Sequence, residues 1–220
     1  MEIQDGKHQM SFVFFTTQAY YEIVKLHIVY TRESERARLR YTFERRDFYL
    51  SKNHPVNLPD TITLSNLKLE DALLAAYKEF PSNDAISAKK QIQACWHEHV
   101  YSIMHYFESL TFELPESIQL TLTQYGGGGS YNVNTSEIIV NINYNTDTLS
   151  ILIHEITHII VDAGLVHKFG LNHEEKEGLV KWLITNDTKL SEFIIVPKRS
   201  PIDRPKQTVL DELDRRGYAR

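Results

Sequence analysis

The stretch LSILIHEITHIIVDAG, residues 149–164, predicts a buried helix that carries a metal-binding motif. Asn145, Thr146 and Asp147 precede it as candidate N-caps, and Gly164 is a candidate C-terminal stop. Apolar residues recur through the stretch at the spacing of one helix face. The residues of this apolar stripe are Leu149, Leu152, Ile153, Ile156, Ile159, Ile160 and Ala163.

Within this helix, His154 and His158 lie four residues apart. Positions i and i+4 share one face of an α-helix, so both imidazoles can bind one metal ion. Glu155 follows the first histidine and can reach a water on that metal without being a ligand. This pattern predicts a zinc-dependent hydrolase, most readily a peptidase. The alternative is a helix whose two histidines are merely satisfied by hydrogen bonds.

The composition narrows the class of protein. A chain of 220 residues can form one well-cored domain, and its formal net charge of −5 argues against binding to nucleic acid or to anionic membranes. Cys95 is the single cysteine, so a reducing compartment is the simpler assumption. No apolar run has the length of a membrane span, and the N-terminus lacks the pattern of a signal peptide. We therefore expect a cytoplasmic protein, although secretion without a cleaved signal leaves no such trace.

Residues 1–66 predict a β-rich N-terminal region. Tyr20–Thr31 is dense in Tyr, Ile, Val and Leu, and Arg32–Glu35 suggests a polar turn. From Arg36 to Glu44, polar and apolar residues alternate with a period of two, which is typical of a strand with one buried face. We expect an antiparallel hairpin whose arginines lie on a solvated face, and the acidic total makes nucleic-acid contact the weaker interpretation.

The remaining chain divides into a core, residues 67–196, and a C-terminal arm, residues 197–220. The arm holds a short amphipathic stretch, Val209–Arg216, which is either packed or partner-binding. Cys95 and His99 could share a metal, but no third ligand completes that set, so a core cysteine is favoured. The fold class expected is α+β. The predicted helices and strands of the core are Leu67–Phe80, Asn83–Leu110, Ile118–Thr123, Glu137–Asn143, the motif helix and His173–Asn186.

Between the two predicted strands lies a glycine segment, Gly126–Gly129, followed by Ser130 and Tyr131. Four glycines can form a flexible linker. Because apolar strand patterns flank the segment closely, we favour a second interpretation, in which glycine lets backbone approach a substrate chain. Gly128, Gly129, Ser130 and Tyr131 are the candidate substrate-binding residues.

A catalytic zinc ion needs a third protein ligand and an open position for water. The downstream candidates are His167, His173, Glu174, Glu175 and Glu177. Glu177 shares the helix face of Val180 and Ile184, which is expected to point inward, so it is favoured. Glu174 is the second choice, and the simpler alternative is a charged first helical turn that complements the helix dipole.

These residues resemble the gluzincin clan of zinc metallopeptidases, in which His-Glu-x-x-His is followed by a Glu ligand on the next helix. Eighteen residues separate His158 from Glu177, and Glu177-Gly178 is similar to the Glu-Gly of the M1 aminopeptidase-like branch. The resemblance covers roughly residues 120–187. It implies a zincin-like core in which His154, His158 and Glu177 bind Zn²⁺, with one active-site helix and a second, ligand-bearing helix.

The chain departs from that branch at the glycine segment. The branch carries an acidic residue on an edge strand that holds the free amine of the substrate, whereas Gly126–Tyr131 contains no acid. The edge can still pair with a peptide by β-augmentation, which favours an endopeptidase over an aminopeptidase. The donor that stabilises the oxyanion stays open among His167, His173, Tyr131 and Tyr218. Asp162 is either a partner for a ligand histidine or a solvent-facing acid.

The mechanism expected from these assignments is hydrolysis of a peptide or protein by a metal-activated water. Glu155 would take the proton of that water as general base and deliver it to the leaving amine. The rival is a non-catalytic, zincin-like binding or regulatory module with structural zinc, although such a site has no need of Glu155. A toxin-like protease directed at one host protein would also suit the small size of the chain.

Overall fold

The structure, a computed structural model, describes residues 24–144, 147–186 and 204–218. In this part of the chain, four strands form one sheet and helices pack against it. The strands are β1 (Lys25–Val29), β2 (Ser117–Thr123), β3 (Gly129–Asn132) and β4 (Glu137–Asn141). The helices are α1 (Arg32–Glu44), α2 (Arg46–Lys52), α3 (Leu69–Glu79), α4 (Asn83–Ser109), α5 (Thr148–Val161), α6 (His173–Asn186) and α7 (Gln207–Arg215). This mixed architecture is compatible with the predicted α+β class.

The strand order in the sheet is β1-β2-β4-β3. β1, β2 and β4 run parallel, and β3 runs antiparallel to β4 at the edge. Leu120 in β2 lies opposite Ile28 in β1 and Ile138 in β4, and both Leu120 and Ile138 are fully buried. Alternating apolar residues of β2 and β4 therefore form the face of the sheet against which α5 packs.

Helix α5 is capped by Asp147, whose side chain accepts a hydrogen bond of 2.9 Å from the backbone N–H of Ser150. Asn145 and Thr146, the other predicted caps, lie outside the described residues. Eleven of the fourteen residues of α5 are buried, and eight of the fourteen are apolar.

The predicted stop at Gly164 is wrong. The chain continues from α5 into a π-helical segment, Asp162–Val166, and a short turn, His167–Phe169. This helical run ends at Gly170, which has the left-handed φ of 56° that glycine adopts without strain. Gly164 is instead a packing position, since a Cβ there would lie 3.2 Å from the Phe112 ring.

The predicted N-terminal hairpin is also wrong where the structure describes it. The strand β1 forms within the predicted strand 20–31, but the residues expected to form a turn begin α1, and the alternating stretch is helical. Thr31 and Ser34 form a reciprocal capping box with two hydrogen bonds of 3.1 Å between side chain and backbone. The described part of the N-terminal region, 24–66, thus holds one strand and two α-helices rather than a β-rich fold.

Elsewhere the predicted elements are confirmed to within a few residues: the two helices between residues 67 and 110, the strands at 118–123 and 137–143, and the helix His173–Asn186. In the arm, α7 buries Val209, Leu210 and Leu213 in the main core, so this stretch is packed. No helix in the described ranges is long and apolar enough to cross a membrane.

Candidate metal centre and cleft

The side chains of His154, His158 and Glu177 converge at the contact between α5 and α6. The two Nε2 atoms lie 3.1 Å apart. Oε1 of Glu177 lies 3.0 Å from Nε2 of His158, and Oε2 lies 3.4 Å from Nε2 of His154. The histidines meet because they are one helical turn apart on α5, and Glu177 meets them because the inward face of α6 packs on that helix.

These three side chains form a group that could hold a metal ion, with their ligand atoms all within 4.8 Å of one another. Within the residues that the structure describes, no other trio of His, Cys, Asp or Glu does so. Glu174, the second choice for third ligand, is exposed, and Glu175 pairs with Lys206 at 2.6 Å. Neither Cys95 nor His99 belongs to such a group, and His173 lines the cleft outside the trio.

Burial and mutual contacts lower the pKa values of two members of the trio. Burial lowers the pKa of His158, so its imidazole tends to be neutral. Burial opposes ionisation of Glu177, but its hydrogen bonds with the two histidines outweigh burial and hold the pKa of this carboxyl well below its ordinary value. Nδ1 of His158 is buried with no hydrogen-bond partner among the described residues. Its orientation is fixed instead by the Tyr131 ring, stacked at 4.5 Å with an interplanar angle of 9°.

Glu155 lies beside the trio, where it is 7 % exposed and lines the cleft. Burial raises its pKa to about 7, and the charge of Glu177 acts in the same direction, while His154, Arg38 and Lys176 oppose the shift. A carboxyl group in such a setting can exchange a proton near neutral pH.

The glycine segment is part of the fold rather than a linker. Gly126 forms an antiparallel bridge with Asn57, and the carbonyl of Gly126 accepts a hydrogen bond of 2.8 Å from the Asn141 side chain. Gly129 begins β3, opposite Val140. A Cβ on Gly129 would lie 2.3 Å from Oε1 of Glu155 and 2.6 Å from Cγ2 of Ile151, so a larger residue there would force one of these side chains or the edge strand to move.

The four candidate substrate-binding residues, Gly128, Gly129, Ser130 and Tyr131, all line one cleft together with His154, Glu155 and Glu177. The cleft has a volume of about 1250 Å³. Lys176 also lines it and places its Nζ 5.1 Å from the centre of the Tyr131 ring. Burial raises the pKa of the Tyr131 hydroxyl, and the neighbouring Lys176 ammonium opposes part of that shift.

The opposite side of the cleft was not foreseen from the sequence. It is built by α1 and α2, which contribute Arg38, Tyr41, Phe48 and Tyr49. Arg38 is only 6 % exposed, and its Nη2 donates a hydrogen bond of 3.2 Å to the carbonyl of Gly127. No sequence motif marks these residues. They line the cleft because residues 32–52 form the helices α1 and α2, where the sequence predicted part of a β-hairpin.

The candidates for an oxyanion donor are distributed unevenly. His167, His173 and Tyr131 line the cleft, whereas Tyr218 is packed against Trp182 with ring centres 5.3 Å apart and does not line it. The Asp162 carboxylate is 3.0 Å from Nε2 of His167. Asp162 is therefore a buried acid paired with His167, and both expectations for it, a partner of a ligand histidine or a solvent-facing acid, are wrong.

Comparisons of the chain with protein-family models, with curated proteins and with solved structures found no match. A function for this chain therefore has to be inferred from its own residues and their geometry.

Proposed function

We propose that the protein is a zinc-dependent metallopeptidase and that His154, His158 and Glu177 bind the metal. The observation that carries this proposal is the convergence of two imidazole nitrogens and one carboxylate at separations of 3.0, 3.1 and 3.4 Å beside Glu155. Bonds of about 2.0–2.1 Å to a tetrahedral zinc ion require ligand atoms about 3.3 Å apart, so this donor set fits zinc. Three protein ligands leave one position for water, as in catalytic zinc sites.

A bound zinc ion supplies Lewis acidity, which makes a water more acidic and polarises a carbonyl. The protein's own part in the reaction is carried by Glu155. Its carboxylate accepts the proton of the attacking water and later donates it to the leaving amine. The short approach of Gly129 to this carboxylate supports the assignment, because a substrate held along β3 would lie next to the base.

Within this proposal, the enzyme is an endopeptidase of gluzincin type. The terminal strand β3 lines the cleft and can accept an extended peptide by β-augmentation. Of the described acids in the cleft, Glu155 and Glu177 belong to the proposed centre and Asp162 pairs with His167. None of them is left to hold a free α-amine, which supports the preference over an aminopeptidase. Free Cys95 agrees with a reducing, cytoplasmic setting.

The decisive experiment compares the wild type with Glu155→Gln, and uses the exposed Glu174→Gln as the matched control. We expect both variants to bind one zinc ion per chain. Glu155→Gln should lose at least about a thousandfold in hydrolysis of a mixed quenched-fluorescent peptide library, while the control keeps wild-type activity. Equal activity of Glu155→Gln and the wild type would refute the mechanism. A wild type that binds zinc without any hydrolysis, with a fourth protein ligand detected by X-ray absorption, would favour the non-catalytic module.

A further inference from the structure

Arg38 is a buried cation with few partners. In the described part of the chain, it forms no ion pair, its single hydrogen bond goes to the carbonyl of Gly127, and its Nε has no partner. A guanidinium group carries five N–H donors, and removing it from water is costly unless an anion compensates. Glu155 is the carboxylate whose charge most affects it, at a distance beyond an ion pair. Arg38 is therefore a buried guanidinium group with an unpartnered donor, and it lines the cleft.

The guanidinium group belongs to the wall of the cleft, together with Tyr41 and Tyr49. Its Cζ lies 5.3 Å from the centre of the Tyr41 ring. A Cβ on Gly127 would lie 3.8 Å from the Tyr49 hydroxyl and 4.0 Å from Nη2 of Arg38, so the Gly127 backbone is in close packing distance of both groups. This arrangement is a pocket with aromatic sides and a cationic base, which matches a planar carboxylate bound bidentately.

The pocket has a defined position relative to the proposed metal centre. Tyr131 stacks on His158 and Gly129 abuts Glu155, so the centre lies beside β3. Arg38 lies beyond the Gly129 end of that strand, since it contacts Gly127. A peptide added antiparallel to β3 runs from the Asn132 end towards the Gly129 end, and its C-terminal portion then reaches Arg38.

We propose that Arg38 binds a carboxylate of the substrate, on the C-terminal side of the cleaved bond. This specificity role rests on the proposed peptidase function. The carboxylate is either an Asp or Glu side chain or the free C-terminus of a short peptide. Lys176 and Lys181 line the same cleft, and together with Arg38 they offset the charges of its three described acids, Glu155, Asp162 and Glu177.

The test uses three matched peptides around a cleavage site mapped by mass spectrometry. The first carries Glu after the cleaved bond, the second carries Gln there and a C-terminal amide, and the third carries Gln there and a nearby free C-terminus. We expect the wild type to cleave at least one carboxylate peptide about tenfold faster in kcat/KM than the neutral peptide. Arg38→Gln should reduce that preference to within about twofold, whatever its effect on cleavage of the neutral peptide. The exposed Arg40→Gln, on the same helix, should retain the full preference.

A binding measurement separates failure of this inference from failure of the proposed function. The same peptides, fluorescently labelled, are titrated with the Glu155→Gln variant and with the double variant that combines Glu155→Gln and Arg38→Gln. Arg38→Lys keeps the positive charge but removes the planar guanidinium group, so it tests whether charge alone is sufficient for this binding. Carboxylate-dependent binding that requires Arg38 supports the pocket even if the wild type cleaves nothing. Absence of carboxylate preference in the wild type, in both cleavage and binding, overturns it. A preference that survives Arg38→Gln also overturns the proposal. A variant that still discriminates between the peptides must be folded, so this outcome needs no separate folding control.

Discussion

Two pairs of helices form the walls of the cleft, and the two pairs place their cleft-lining side chains in different ways. The wall of α5 and α6 brings its functional side chains together through helix periodicity, with His154 and His158 one turn apart and Glu177 on the facing helix. The wall of α1 and α2 presents Arg38 through a helix whose buried face is largely polar. A wall of the first kind can be predicted from a short motif. In a wall of the second kind, the position of a buried polar side chain depends on contacts with residues that are distant in the sequence, so a short motif does not predict it.

The largest expected effect is on the first wall. Glu177→Gln removes the proposed anionic ligand while preserving side-chain shape, and we expect zinc affinity to fall at least about a hundredfold and activity to fall with it. Glu174→Gln, three residues earlier on α6 and exposed, should bind zinc as the wild type does. Competition titration with a chromogenic chelator measures both affinities. If Glu174→Gln showed the larger loss, the third ligand would have been assigned to the wrong residue.

The second prediction concerns the strand between the walls. A Cβ on Gly129 would lie 2.3 Å from Oε1 of Glu155 and 2.6 Å from Cγ2 of Ile151, so Gly129→Ala must displace either the edge strand or the carboxylate. We expect kcat/KM to fall about a hundredfold, the usual cost of misplacing a reacting group by about 1 Å.

Gly127→Ala is the matched control for that variant. A Cβ on Gly127 would meet its nearest atoms, in Tyr49, at 3.8 Å, which is ordinary van der Waals contact. Its kcat/KM for the neutral peptide, which does not use the proposed Arg38 pocket, should stay within a few-fold of the wild type. Similar losses in the two alanine variants would mean that the segment acts through general backbone flexibility rather than through the contact of Gly129 with Glu155.

The same contrast explains what could be predicted from the sequence. Between residues 117 and 186, the apolar patterns of β2, β4, α5 and α6 agree with their burial, so these four elements and the meeting of Glu177 with both histidines were predictable, whereas β3 and the π-helical segment Asp162–Val166 were not. In α1 the pattern is inverted. Glu35, Arg38, Leu39 and Thr42 are buried at helical spacing, whereas Tyr41 and Phe43 are 37 % and 38 % exposed. Hydrophobic periodicity therefore predicted a strand, because it treats polar residues as solvent-facing.

One local signal did indicate this helix. Thr31 followed three residues later by Ser34 forms a reciprocal cap, and Glu33 and Glu35 are the acids favoured in a first turn. Arg38 itself could not have been found in this way. Its position in the cleft depends on long-range contacts with Gly126 and Gly127, which are almost ninety residues away in the chain.

The smallest expected effect is on the attachment of the second wall to the sheet. The Glu35 carboxylate, 2 % exposed, accepts hydrogen bonds of 2.7 Å from the Thr123 hydroxyl and 3.0 Å from the backbone N–H of Gln124. Burial nevertheless raises the pKa of Glu35, and this influence outweighs those hydrogen bonds. A carboxyl group with a raised pKa in the folded state stabilises the protein below its unfolded pKa of about 4.5, and that contribution is lost as the pH rises through the folded pKa.

Glu35→Gln, which cannot titrate, isolates this contribution. The free energy of unfolding of the wild type minus that of the variant should decrease as the pH is raised above about 4.5, with a slope of at most about 1.4 kcal/mol per pH unit, the value for one proton. Urea unfolding of both proteins over a series of pH values measures the difference, and the other titrating groups cancel. A difference that instead increased with pH would show that the hydrogen bonds from Thr123 and Gln124 dominate over burial, and that the second wall is held to the sheet by an ionised carboxylate.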